Sequence, residues 1–248
     1  CAANRWGGGG QGTRAHCEIN PDGSVVMRCG TQDLGVGTKT IVAMITAETL
    51  GIPMSLVKAE IGDSNYPFSG GSGGSTTAPA VSPAIRVTSG MALDALKAYS
   101  RGMAVRGKGD ETAGIPFLED AIARDPNFAL AHSGMARTYA GLGFEAEALQ
   151  ASRLAHSLGQ ALPDGQERYL IAAAHHRITN DTEQAVATYQ QLLAVAPNNV
   201  QLHYELAGLH EDTGDLEKAA EHFAKVIELD PKSSATLRRY FQEVSNAR

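Results

Sequence analysis

The sequence predicts an α+β segment, built from a hairpin, a helix, a strand and Gly-rich loops, followed by an all-α solenoid of paired helices. Three observations carry this reading. Residues 1–86 hold 15 of the 27 Gly, all 3 Cys and the only Trp, and residues 87–248 hold the other 12 Gly. The first part carries 6 Lys+Arg and 6 Asp+Glu, the second 15 and 21, so the net charge of −6 belongs to the second part. Pro197 and Pro231, each closing an Ala-rich or acidic helical pattern, stand 34 residues apart, and a fixed period of this size signals stacked repeats. The expected division is 1–86 and 87–248.

Composition excludes several classes. No run of about 18 apolar residues could span a membrane, and the acidic balance argues against non-specific binding to nucleic acid. The chain opens on Cys1 rather than Met, with no basic stretch leading into an apolar one. The expectation is a chain cut from something longer, without a signal peptide, its compartment open. Three Cys make no disulfide framework; Cys17 and Cys29 flank a hairpin without facing each other and are expected as free thiols.

In the first part, Ala15 to Asn20 and Ser24 to Cys29 enclose the turn Pro21-Asp22-Gly23. Pro presets φ and Gly takes the positive-φ position, so a hairpin is expected. Thr40 to Leu50 reads as a helix stopped by Gly51, with Pro53 just beyond; its expected apolar stripe is Ile41, Met44, Ile45 and Leu50. Leu56 to Ile61 alternates as a strand, with Val57, Ala59 and Ile61 on one face and Lys58 and Glu60 on the other.

Two Gly-rich loops remain. One, Gly35-Val36-Gly37, lies where a strand hands over to a helix; free backbone N–H groups there would let an anion approach. The other, Ser69 to Thr77, contributes hydroxyls from Ser75, Thr76 and Thr77, with Ser82 beyond. Hydroxyls beside open backbone suit a phosphate or a polar heterocycle; the plainer alternative is a tight turn and a flexible linker. A nucleotide is disfavoured, because a P-loop needs Lys after its last Gly, where Thr38 stands, and a dinucleotide fingerprint needs Gly at position 40, where Thr stands.

Gly30-Thr31-Gln32-Asp33-Leu34-Gly35-Val36-Gly37-Thr38, the helix after it and Gly51-Ile52-Pro53 resemble the large subunit of the molybdenum hydroxylases, the xanthine dehydrogenase and aldehyde oxidase family. Gly62-Asp63-Ser64 through Gly73-Gly74-Ser75-Thr76-Thr77-Ala78 to Ser82-Pro83-Ala84 continues the resemblance, which runs from about Gly7 to Ile85. It implies molybdopterin as cofactor, held through pterin and pyrophosphate contacts at Gly35, Val36, Gly37, Thr77, Ala78 and Ser82, mostly by backbone. It also implies a catalytic Glu in a downstream Gly-Glu-Pro-type segment, which residues 87–248 lack. Glu48 and Glu60 are the candidates to replace it, and both are expected on solvated faces. No catalytic residue is therefore assigned, and the chain alone is expected neither to catalyse nor to retain the cofactor.

In the second part, alignment on Asp125-Pro126-Asn127, Ala196-Pro197-Asn198 and Asp230-Pro231-Lys232 places small and bulky residues at recurring positions. Tyr169, Ala173, Ala185 and Tyr189 fill one repeat; Leu206, Ala207, Gly214, Ala219 and Phe223 the next. Tyr139, Gly143 and Ala148 fit an earlier one. Gly102, Leu118 and Ala121 fit the first, whose second helix Pro116 should shorten, and Ser233 to Ser245 reads as a closing helix. This pattern resembles tetratricopeptide (TPR) repeats over Ala92 to Val244. The wording of Ala95 to Ser100 and Phe117 to Ile122 resembles helical arrays attached to some bacterial kinases and regulators.

The TPR resemblance implies a protein or peptide partner in a concave groove. The family's Lys/Asn/Arg clamp for a terminal carboxylate is missing, since Tyr99, Met103, Gly134, Glu167 and Ile171 stand at its places, and an acidic array suggests a neutral or basic ligand. His203 and His210 are expected at packing positions and His175 and His176 on different sides, so no metal site is assigned. The abrupt change at Arg86 to Gly90 leaves three explanations, a natural fusion, a degraded gene or wrongly joined sequence, and the missing catalytic part favours the last two. The functional expectation is a TPR-type interaction module fused to an incomplete molybdopterin-binding segment. The alternative is an oxidoreductase large-subunit fragment completed by other subunits of a molybdenum hydroxylase.

Overall fold

The computed structural model describes residues 12–73 and 76–231. The chain splits into two compact units, Cys1–Arg101 with Glu119–Pro126 and Gly102–Leu118 with Asn127–Arg248. Each is taken by itself.

In the first unit, β1 (His16–Ile19) and β2 (Val25–Cys29) form the expected hairpin, with Cys17 opposite Met27 and Ile19 opposite Val25. Gly23 takes φ 81° in the turn, and Asp22 accepts hydrogen bonds from the backbone N–H and hydroxyl of Ser24. β3 (Val57–Ile61) adds to β2 in parallel, Val25 against Val57 and Cys29 against Ile61. A parallel pair cannot be joined by a tight turn; the crossover is α1 (Thr38–Leu50), closed by Gly51 at φ 71°. Cys17 and Cys29 are free thiols, and burial, then Glu18, pushes the Cys17 thiol up to about 11.

The core of this unit joins Met27, Cys29, Val42, Ala43 and Ala59 with Val81 and Ile85 from α2 (Thr77–Arg106). The buried face of α1 differs from the expected stripe. Val42, Ala43, Thr46 and Ala47 are buried, Met44 is exposed, and Ile45 only borders the core. Small residues face inward because α1 packs on β3, and Thr46 satisfies its hydroxyl by donating to the Val42 carbonyl at 2.8 Å. The expected boundary at residues 86 and 87 falls inside α2.

In the second unit, the end of α2 meets the start of α3 (Glu111–Arg124). A Cβ on Gly102 would come within 3.1 Å of Leu118, so Gly permits this approach. Pro116 does not shorten α3. The helix starts at Glu111, capped by Asp110, which accepts from the Ala113 N–H at 2.9 Å, and it absorbs Pro116 one turn in.

Three helical pairs follow: α4 (Ala129–Gly141) with α5 (Glu145–Gly159), α6 (Gln166–Ile178) with α7 (Thr182–Val195), and α8 (Val200–Asp212) with α9 (Leu216–Leu229). Between pairs, α5 packs on α6, α4 on α6 and α7 on α8. The turn inside each pair needs one left-handed residue; Gly143, Asn180 and Gly214 supply it at φ 80°, 57° and 78°. Asn is the residue that, after Gly, best tolerates that conformation. Asp181, Asn199 and Asp215 cap α7, α8 and α9 by accepting backbone N–H bonds.

The expected packing residues Ala173, Ala185, Tyr189, Leu206, Ala207, Ala219 and Phe223 are all buried. Tyr189, Leu192, Leu202, Leu206 and Leu209 share one cluster. The expected closing helix lies outside the described residues. Leu206 is fully buried, so Leu206→Ala should cost about 2–5 kcal/mol in denaturant unfolding. Val195→Ala, at a side chain 71% exposed, should stay within about 0.5 kcal/mol.

Candidate functional site

The structure brings the two Gly-rich loops together. Gln32, in the first, receives two bonds from Ser72 in the second: the Ser72 backbone N–H donates to Gln32 Oε1 at 3.0 Å and the Ser72 hydroxyl to the Gln32 carbonyl at 2.8 Å. The Gly30 N–H donates to the Pro67 carbonyl at 2.8 Å and the Arg14 N–H to the Phe68 carbonyl at 2.8 Å. A Cβ on Gly30 would meet the Pro67 carbonyl oxygen at 2.8 Å, so only Gly allows this contact.

Asp33 shapes the first loop. Its Oδ1 accepts from the N–H groups of Gly35 (3.0 Å) and Val36 (3.1 Å), and its Oδ2 from that of Lys39 (3.1 Å). Hydrogen bonds from Lys39, Gly35, Val36 and Thr38 hold the Asp33 carboxyl below the usual carboxylate range. The donors that sequence reasoning offered to an outside anion are thus engaged by an internal carboxylate at the start of α1. Gly35 and Gly37 still take positive φ, 89° and 79°, with open space where a Cβ would stand. Val36 is 70% exposed.

The other candidate residues lie on α2 rather than in a loop. Thr77 and Ala78 form its first turn, where backbone N–H groups have no partner within the helix. The Ser82 hydroxyl, one turn on, donates to the Ala78 carbonyl at 2.6 Å, and Thr76 Oγ1 donates to the Gly73 carbonyl at 2.6 Å. Ser75 lies outside the described residues. An open cleft of about 560 Å³ beside α1 is lined by Lys39, Lys58, Glu60, Gly62, Asp63 and Tyr66, among others. None of the six candidate residues lines it.

Glu48 is exposed and pairs with Arg86 at 3.1 Å. Glu60 is half-buried, bonded by Lys58 at 2.6 Å and Arg28 at 2.9 Å. These two partners, Lys58 first, hold Glu60 below the usual carboxylate range. Arg28 also holds Glu18 on β1, so the three strands share one ion cluster. A carboxylate held ionised in this way is a poor proton carrier near neutral pH.

Six histidines of the helical array form two ring clusters. His175 stacks on His156 with centroids 4.4 Å apart, and His176 lies 6.0 Å from His156. His203 Nδ1 is 3.0 Å from His222 Nδ1, and His210 stacks on His222 at 5.7 Å. His203 and His210 are buried, as expected of packing positions. Among the described residues, no group of three or more His, Cys, Asp or Glu could hold a metal ion.

The fit to a cofactor follows from these contacts. Paired loops, two left-handed glycines with open space and the first turn of α2 suit a group held along one side by backbone. They do not suit an anion seated on the N-terminus of α1, where Asp33 already sits. Gln32 and Asp33 escaped sequence reading. An Asp two residues before Gly-x-Gly and a helix was a legible cap signal; the Gln32–Ser72 link, 40 residues apart, was not.

An α+β segment with two joined Gly-rich loops thus shares one chain with an array of helical pairs. The family model for the molybdopterin cofactor-binding domain matches residues 2–196, and a tetratricopeptide repeat model matches residues 169–234. The chain belongs to the molybdopterin cofactor-binding domain family and carries TPR repeats. It is 44% identical over 63 residues to the aldehyde oxidoreductase molybdenum-binding subunit PaoC of Escherichia coli (strain K12), 25% of this chain and 8% of that protein. It is 40% identical over 79 residues to the carbon monoxide dehydrogenase large chain of Hydrogenophaga pseudoflava, 31% of this chain and 10% of that one. The chain thus spans a tenth or less of the length of these relatives.

Among solved structures, MamA from Desulfovibrio magneticus RS-1 is 20% identical with a TM-score of 0.37, over 55% of this chain and 75% of that one. The TPR protein YrrB is 19% identical with a TM-score of 0.36, over 56% and 70%.

Two outcomes test the site. Asp33→Ala should speed hydrogen exchange at Gly35, Val36 and Lys39 and leave the α6–α9 amides unchanged; equal rates in both proteins would show that Asp33 does not hold the loop. Burial, reinforced by neighbouring charge, holds His156, His175 and His222 below the ordinary imidazole value. A depressed folded value means stability that is complete above about pH 6.5 and lost as pH falls through the lower folded values. The denaturation midpoint should therefore drop between pH 7.5 and 5.5. His222→Gln should shrink that drop.

Proposed function

We propose that the chain is a TPR-type protein-interaction module fused to an incomplete molybdopterin-binding segment, and that it does not catalyse alone. The observation that carries this is the stacking of α4 to α9 into three pairs, with buried clusters joining neighbouring pairs and a further one inside the last pair. Nothing comparable encloses the Gly-rich loops among the described residues: Leu34, Val36 and Phe68 stand 67%, 70% and 62% exposed. The ligand of the array is a protein segment or peptide. The domain division at residues 86 and 87 remains part of this reading, with the helical part folding by itself.

A specific observation favours a second reading, an oxidoreductase large-subunit fragment that needs a partner chain. Gln32 and Ser72 hold the two loops side by side, an arrangement a mere linker has no need of. Gly35, Val36, Gly37, Thr77, Ala78 and Ser82 would then contact the molybdenum cofactor. The cofactor supplies the redox centre; these residues supply a one-sided backbone cradle. The relatives that share this segment are, by name, a molybdenum-binding subunit and a large chain, which supports other subunits as partners.

The first reading is tested by panning a random peptide library against the purified full chain and titrating the enriched peptides by calorimetry. Saturable binding, weakened by destabilising Leu206→Ala, is expected. Absence of any enriched peptide would remove the interaction role.

A further inference from the structure

We propose that Arg137 and Arg177 form a recognition pair for a carboxylate of an acidic peptide bound on the face made by α4, α6 and α8. The proposal deepens the interaction reading and rests on it.

The starting point is Glu205 on α8, a carboxylate only 6% exposed. It accepts from Arg137 Nη2 on α4 at 3.1 Å, from Arg177 Nη1 on α6, and from Gln201 Nε2 at 2.9 Å. A buried carboxylate needs a positive partner to offset its lost hydration, and one guanidinium is enough. Here there are two, so the cluster has one positive charge in surplus. That surplus sits in a part of the chain with 15 basic and 21 acidic residues.

The burial is asymmetric. Glu205 lies beneath, whereas the side chains of Arg137 and Arg177 are 40% and 47% exposed. Each guanidinium carries five N–H donors in a rigid plane, and its bond to Glu205 uses part of that set. Glu205 therefore orients two arginines from different helical pairs toward one point and leaves outward donors on both. Pre-oriented guanidiniums lose little entropy when they take a second carboxylate, which they can hold bidentately. Tyr189, on α7, is buried beside the same cluster: burial, then the Glu205 charge, pushes its phenol up to about 12.

A peptide suits this face better than a small ion does. The cluster draws on α4, α6 and α8, the first helices of three successive pairs, so contacts are available along several residues of a bound segment. The ligand is then acidic, not the neutral or basic one that the net charge of the array suggests.

The test is fluorescence anisotropy of the full chain with labelled octapeptides rich in Asp and Glu, with their Asn/Gln counterparts and with Lys-rich ones. The acidic series should bind tightest and weaken as salt rises. Arg137→Gln and Arg177→Gln should each weaken it about tenfold, the loss of one charge-assisted contact; Arg137→Lys, which keeps the charge but not the fork, should fall between. Circular dichroism and melting of each variant identify any that fail to fold, and Arg137→Lys carries the test if the glutamine variants do. Preferential binding of neutral or basic peptides, or acidic binding untouched by folded Arg variants, would overturn this proposal and leave the interaction reading standing. Full competition by inorganic phosphate at equal concentration would overturn it in favour of a small-anion site. No binding by any series, together with an empty library selection, would remove both.

Discussion

A helical pair can bury only the face its two helices turn to each other; the opposite face stays apolar until another pair covers it. The rest of the helical unit depends on that constraint. It explains why alanines fill the inward positions: Ala129, Ala131, Ala136, Ala155, Ala173 and Ala174 are all buried, and small side chains let successive helices approach closely. It explains the bulky residues Ile171, Leu192 and Leu206, which fill the gaps left between pairs, while Phe223 fills the inside of the last pair. It also explains why each pair must turn sharply, through a left-handed Gly143, Asn180 or Gly214. Polar groups inside the stack are held mostly by pairing: His203 bonds to His222 and the Pro197 carbonyl and Glu205 to two arginines, while the buried His210 Nε2 has no hydrogen-bond partner.

The first unit is built on a different constraint. A three-stranded sheet of about five residues per strand has little core of its own, and α1 and the start of α2 complete it with Val42, Ala43, Val81 and Ile85. The Gly-rich loops are then fixed by polar contacts rather than by burial. Asp33 ties down the first, and Ser72 ties the second to Gln32. Hydrogen bonds in water-exposed loops are individually worth little, so shape here comes from several acting together with glycine's freedom at Gly35 and Gly37. Loops shaped in this way leave Val36 and Phe68 open to solvent.

Legibility in the sequence follows the range of each interaction. The hairpin, the strand Val57–Ile61, the stop at Gly51 and the repeat packing at Ala173, Tyr189, Leu206 and Phe223 were readable, because alternation, helical period and turn chemistry are local or periodic. The inward face of α1 was misread. Hydrophobicity pointed to Ile41 and Met44, whereas close packing on β3 selects the smaller Ala43 and Ala47. Pro116 was expected to shorten the start of its helix because the Asp110 cap, which starts the helix upstream of it, was not weighed. Of the candidate site, the two loops were readable and their mutual contact was not: the Gln32–Ser72 link joins residues 40 apart and the Arg137–Glu205 pair residues 68 apart, and no local pattern encodes either.

The reading proposed above is an array of three stacked helical pairs in one chain with a loop segment that is shaped but, among the described residues, open. Its most direct test is molybdenum content: the full chain produced in a host that makes molybdopterin, gel-filtered, then measured by elemental analysis against protein concentration. The account predicts far less than one molybdenum per chain, beside strongly helical circular dichroism. One molybdenum per chain, retained through filtration with no second polypeptide present, would contradict it.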